Sequence, residues 1–133
     1  MTPVEKPAFV RISAAEAAVL IDGCPAAAIF DVRDLVSYQK AHVDGAAHLA
    51  EDRLLAWMKR LPKETPVVIY CYKGTASQAF AQMFIDFRYL RVFSVDGGYE
   101  PLAEAMRPAV NGNFRRKLKF RRLVRGRPGA PFC

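Results

Sequence analysis

Cysteine is scarce in this sequence, with three residues among 133, and histidine and tryptophan are scarcer still. Cys24, Cys71 and Cys133 form an odd set with no close spacing, which argues against both a disulfide framework and a zinc site. Long apolar runs are missing as well. None reaches the roughly 18 residues that a membrane span needs, and Met1–Lys6 hold no apolar signal core, so secretion is not expected. A reducing, cytoplasmic compartment is the expectation, one in which a chain can keep a free, reactive thiol. Acidic side chains are absent from one region only. Residues 107–133 carry nine basic groups and no acidic ones, whereas residues 1–106 carry 11 basic and 13 acidic groups. The net charge of +7 therefore belongs almost wholly to the C-terminal tail, on a near-neutral body.

What is present suffices for one domain with a core, since 52% of the residues are hydrophobic. Residues 1–108 read as that domain and residues 109–133 as a basic, flexible appendage. Phe9–Ile12 reads as a strand. Ser13 and Glu16 stand at capping-box spacing for a helix through Leu20. Ala27–Val32 reads as a buried strand that ends in Asp31, Arg33 and Asp34. Leu35–Lys40 is expected as a short helix, Ala47–Leu49 as a short strand, and Glu51–Arg60 as a helix with Leu54, Leu55 and Met58 facing the core.

A further strand, Pro66–Tyr70, leads into Cys71. A helix follows from Ser77 to about Arg88, with Phe80, Met83, Phe84 and Phe87 at the spacing of one buried face. Trp57 is expected in the core with this stripe. Arg91–Val95 reads as the last strand and Tyr99–Met106 as a final helix. Strands alternating with helices predict an α/β fold with a central parallel sheet of about five strands, flanked by helices on both faces. In such sheets the active site lies at the carboxyl ends of the strands.

Cys71 stands at such an end. It opens the loop Cys71-Tyr72-Lys73-Gly74-Thr75-Ala76, and Ser77 begins the helical pattern. Loop amides and a helix N-terminus aim partial positive charge at the sulfur, which favours the thiolate. Gly74 permits backbone that a Cβ would hinder. Lys73 places a cation where an anion would approach, Ser77 either caps the helix or donates its hydroxyl to substrate, and Tyr72 either lines the pocket mouth or simply packs. Cys24, in a helix-ending turn, and Cys133, at the terminus, read as bystanders.

In this context the chain resembles the single-domain rhodaneses, sulfurtransferases of the thiosulfate type. The resemblance rests on four motifs in order: Asp31-Val32-Arg33; Tyr38 through His42-Val43-Asp44-Gly45-Ala46; Cys71 to Ser77; and Asp96-Gly97-Gly98-Tyr99. It implies that Cys71 carries sulfur as a persulfide, taken from a small anionic donor such as thiosulfate and passed to a thiol or cyanide. It also implies that residues Tyr72, Lys73, Gly74, Thr75, Ala76 and Ser77 bind the substrate. No metal or organic cofactor is implied. Ala76 departs from the polar residue usual at its position, which points toward a persulfide handed over by a protein. The loop has six residues and no arginine, unlike the longer, Arg-ended loop of related phosphatases, so phosphate chemistry is not expected.

Asp31 and Arg33 read as a strand-end ion pair bracing the active face, and His42 as a structural histidine holding the turn at Asp44-Gly45. Three readings are open for the tail: a solvated extension without function, docking on an acidic protein that donates or accepts sulfur, or binding of RNA or membrane phosphates. Residues 114–127 could engage an acidic sulfur-carrier protein or RNA. In the alternative, the whole chain is a non-catalytic rhodanese-like module that recruits such a partner.

Overall fold

The computed structural model describes residues 8–107. The readings that concern residues 109–133, including the partner surface at 114–127, lie outside the described residues.

Five strands form one sheet: β1 (Val10–Ile12), β2 (Ala28–Asp31), β3 (Ala46–His48), β4 (Val67–Tyr70) and β5 (Val92–Val95). Their spatial order is β1-β5-β4-β2-β3 and every pairing is parallel. Five helices connect and follow them: α1 (Ala14–Gly23), α2 (Leu35–Lys40), α3 (Leu54–Arg60), α4 (Ala76–Asp86) and α5 (Tyr99–Met106). The expected α/β architecture is therefore present. β4 lies at the centre, and all four of its residues are buried. Its unbroken apolar run Val67-Val68-Ile69-Tyr70 is the pattern of a strand covered on both faces.

The pleat divides those side chains between two cores. Val67 and Ile69 join Phe30 and Val92 beneath Leu54 and Met58 of α3 and Ala81, Phe84 and Ile85 of α4. Val68 and Tyr70 join Ile12, Ile29 and Val95 beneath Ala17 of α1 and Leu102 of α5. Trp57 is partly buried against the first cluster, its ring edge-on to Phe30 at 5.0 Å.

Local signals explain the boundaries. Ser13 accepts from the Glu16 amide, and the Glu16 carboxylate accepts from the Ser13 amide, completing the capping box of α1. Asp34 caps α2 by accepting from the Ser37 amide. Three expectations need correction. Leu55 is 58% exposed rather than facing the core, because the helical turn that buries Leu54 and Met58 points their neighbour outward. Glu51–Arg53 form a 3₁₀ turn, and only Leu54–Arg60 are α-helical. Phe87 is 45% exposed rather than part of the core stripe. α4 ends at Asp86, so Phe87 occupies the C-cap, and the chain then turns through Arg88 at φ 74°.

Candidate active site

β4 delivers Cys71 to the carboxyl edge of the sheet, with β2 on one side and β5 on the other. Cys71 is a free thiol and is buried at 3% exposure. The loop curls around its sulfur. The Gly74 amide donates to Sγ at 3.0 Å, and the Ser77 hydroxyl lies 3.5 Å from it. Gly74 reaches this position at φ 105°, a conformation that suits glycine. Burial by itself would push the thiol up. The Ser77 hydroxyl and the amides of Ser77, Gly74 and Lys73 outweigh that cost and hold it below its ordinary value of 9.0. Neutral dipoles thus supply the stabilisation, in the manner of an anion nest.

Behind the loop stands the Gly97-Gly98 pair. Gly98 has φ 78° and presses its backbone against the Tyr72–Lys73 peptide. The Tyr99 amide donates to the Cys71 carbonyl at 2.8 Å, fixing the residue from its main-chain side. Ser77 is wholly buried, and its hydroxyl lies 2.8 Å from that of Ser94 on β5. Of the two roles open to Ser77 from sequence, helix capping is not the one seen. Thr75 occupies the N-cap of α4 and makes no side-chain capping bond. Lys73, Thr75 and Ala76 form an exposed rim. Tyr72 is also exposed. Its hydroxyl binds the Asp34 carboxylate and the Ser37 hydroxyl, tying the loop to the start of α2. In Asp34, the bond from the Ser37 amide holds the carboxyl below its usual value.

Asp31 and Arg33 form a buried ion pair at the end of β2, with Arg33 Nη2 2.7 Å from Asp31 Oδ2. Arg33 Nη2 also donates to the Ala41 carbonyl at 2.6 Å, and the guanidinium lies 4.0 Å from the Tyr99 ring centroid. Burial works against the Arg33 charge, but the hydrogen bonds and charge of Asp31 overcome it and raise the guanidinium further. The pair therefore braces Tyr99, which in turn holds Cys71. Asp31→Ala should strand the buried guanidinium and cost about 3–5 kcal/mol, read as a fall in the urea midpoint.

His42 packs on Tyr38 of α2. Its Nδ1 lies 2.7 Å from the Tyr38 carbonyl and its ring stacks on Tyr38 at 3.8 Å. The sequence placed its hydrogen bonds at the Asp44-Gly45 turn, and the bond seen here is to Tyr38. Ser94 escaped the sequence reading. The one available signal is a lone hydroxyl in the apolar strand Val92-Phe93-Ser94-Val95. Among the described residues, no group of three or more His, Cys, Asp or Glu side chains is placed to hold a metal, and no helix is long and apolar enough to cross a membrane.

A family model described as a rhodanese-like domain matches residues 13–105. The chain belongs to the rhodanese-like family. It is a rhodanese-type enzyme in which the Cys71 loop, the buried Asp31–Arg33 pair and the Gly97-Gly98 backing stand at one edge of the sheet. Thiosulfate sulfurtransferase GlpE of Tolumonas auensis is 42% identical over 92 residues, covering 69% of this chain and 86% of that protein. The protein of the same name from Coxiella burnetii is 40% identical over 72 residues, or 54% of this chain and 67% of its own length. Among solved structures, a rhodanese-related protein from Thermoplasma volcanium gives a TM-score of 0.62 at 21% identity. It covers 75% of this chain and 96% of the other, and the likeness is one of fold.

Proposed function

We propose that this rhodanese-like chain is a sulfurtransferase that moves a sulfane sulfur through a persulfide on Cys71. The observation that carries the reading is the free Cys71 sulfur held by the Gly74 amide and the Ser77 hydroxyl, with its thiol lowered below the ordinary value. A lowered thiol favours the thiolate, which can attack without a general base.

The thiolate attacks the outer sulfur of thiosulfate. A new S–S bond forms to Cys71, the S–S bond of thiosulfate breaks, and sulfite leaves with the bonding pair. A cyanide carbon or an acceptor thiolate then attacks the outer sulfur of the persulfide. Thiocyanate or an acceptor persulfide departs, and the Cys71 thiolate returns. Both steps are nucleophilic displacements at sulfur, so the cycle draws on no metal or organic cofactor. The loop amides that stabilise the thiolate serve the persulfide anion equally. Lys73, exposed on the rim, attracts the dianionic donor. Thr75 and Ala76 border the approach. Because Ala76 offers no polar group, a protein-borne persulfide fits the site at least as well as thiosulfate.

Intact mass tests the reading. Incubation with thiosulfate should add one sulfur atom per chain, and cyanide should remove it. A mass unchanged by both thiosulfate and a protein persulfide donor would overturn the proposal.

A further inference from the structure

Two buried hydroxyls, from different elements, stand in line behind the Cys71 sulfur. Cys71 follows β4, Ser77 lies in the first turn of α4, and Ser94 lies on β5. Ser77 and Ser94 are both fully buried, their oxygens 2.8 Å apart, and Ser77 Oγ is 3.5 Å from Cys71 Sγ. Each serine hydroxyl has one proton to donate and can accept in return. That limited supply of protons makes the chain directional.

With Cys71 as a thiol, the S–H can donate to Ser77 and Ser77 to Ser94. A thiolate has no proton and only accepts, so the Ser77 proton must turn to the sulfur. The Ser77 oxygen is then left as an acceptor facing the Ser94 hydroxyl. We propose that Ser94 is a positioning residue for sulfur transfer: it donates to Ser77 when the sulfur is ionised and so fixes the Ser77 proton on the sulfur. A donor hydrogen-bonded from behind is a stronger donor, and the gain is largest where the final acceptor carries charge. The same order of bonds serves a persulfide anion on Cys71.

Other charged groups also stand near the site. The elements around Cys71 bring Lys73 on the exposed rim, the Asp31–Arg33 pair from β2, and Asp96 after β5, which pairs with Arg11. They also bring the phenols of Tyr70, Tyr72 and Tyr99, and burial pushes the Tyr70 phenol strongly up. Among the described residues, Ser77 is the side chain seen hydrogen-bonded to the sulfur, and Ser94 stands directly behind it.

The inference rests on Cys71 acting as a thiolate, and its test needs no sulfur donor. The rate of alkylation at Cys71 by iodoacetamide is followed against pH in the full chain, with the site identified by peptide mass. Measured in this way, failure of the relay is distinct from failure of sulfur uptake in the thiosulfate experiment. Ser77→Ala should raise the pH midpoint and slow the neutral-pH reaction roughly tenfold, as for loss of one hydrogen bond to a charged group. Ser94→Ala should act in the same direction by a few-fold. In the Ser77→Ala background, Ser94→Ala should change nothing further, which a general loosening of packing would not produce. Ser94→Thr, which keeps the hydroxyl, should retain the wild-type midpoint. A Ser94→Ala midpoint equal to wild type, an equal shift in both backgrounds, or a Ser94→Thr shift matching that of Ser94→Ala would overturn the proposal.

Discussion

Cys71→Ser should take sulfur transfer from thiosulfate to cyanide down by about 10³-fold or more, while the fold survives. The serine oxygen is smaller than sulfur and can still accept from the Gly74 amide, so the loop keeps its internal bond. What disappears is the thiolate. A serine hydroxyl beside neutral dipoles remains protonated near neutral pH, and these dipoles do not act as a base for it. The variant should therefore gain no sulfur on incubation with thiosulfate, and its thermal midpoint should stay close to that of wild type. Sulfur uptake by the serine variant would place the carrier on another residue.

The second large effect is expected at Gly98. A Cβ there would lie 2.1 Å from the Tyr72 carbonyl oxygen, 2.3 Å from its carbon and 2.6 Å from the Lys73 nitrogen. These are main-chain atoms of the loop that holds Cys71, so no side-chain rotation relieves the overlap. The backbone at φ 78°, ψ −152° is in addition a region that essentially glycine alone adopts. Gly98→Ala must then either lose stability, by about 3 kcal/mol or more, or push the loop off its backing. Displacement of the loop would carry the Gly74 amide away from the sulfur, so Cys71 alkylation at neutral pH should slow as well. Gly97→Ala is the milder comparison, because its Cβ would meet the Pro101 side chain at 2.8 Å and not the backbone. Gly23→Ala meets nothing within 4 Å and serves as the control. Urea midpoints and alkylation rates on the three variants rank the effects, and a wild-type midpoint for Gly98→Ala would refute the tight approach.

These contrasts bear on what could be read in advance. Elements governed by local signals matched closely. α2 and α5 fall on Leu35–Lys40 and Tyr99–Met106 as the pattern indicated, and the Ser13–Glu16 capping box forms. The buried β4 strand and the thiol at its end were legible because an apolar run, a cysteine and a glycine-containing loop are contiguous in the chain. Phe87 misled because periodicity continues on paper past the point where the helix stops. Ser94 was illegible because its meaning comes from Ser77, 17 residues away, and exists only once β5 lies beside β4. The Tyr72 bonds to Asp34 and Ser37 were hidden in the same way, by separation along the chain. Gly98 could be recognised as part of a motif, but its contact with the Tyr72 carbonyl required the folded loop.

The sulfur is held by amides and a hydroxyl, and the cation of the loop, Lys73, stands on the exposed rim. If Cys71 carries sulfur as proposed, electrolyte should act unequally on the two halves of the chemistry. Dipoles fixed within bonding distance of a buried anion are hardly screened, so added salt leaves the intrinsic nucleophilicity of Cys71 in place. Attraction between an exposed ammonium and an approaching dianion fades as the ionic atmosphere tightens. On the proposed mechanism, ionic strength should govern how often a charged donor arrives and have little hold on what happens to it afterwards.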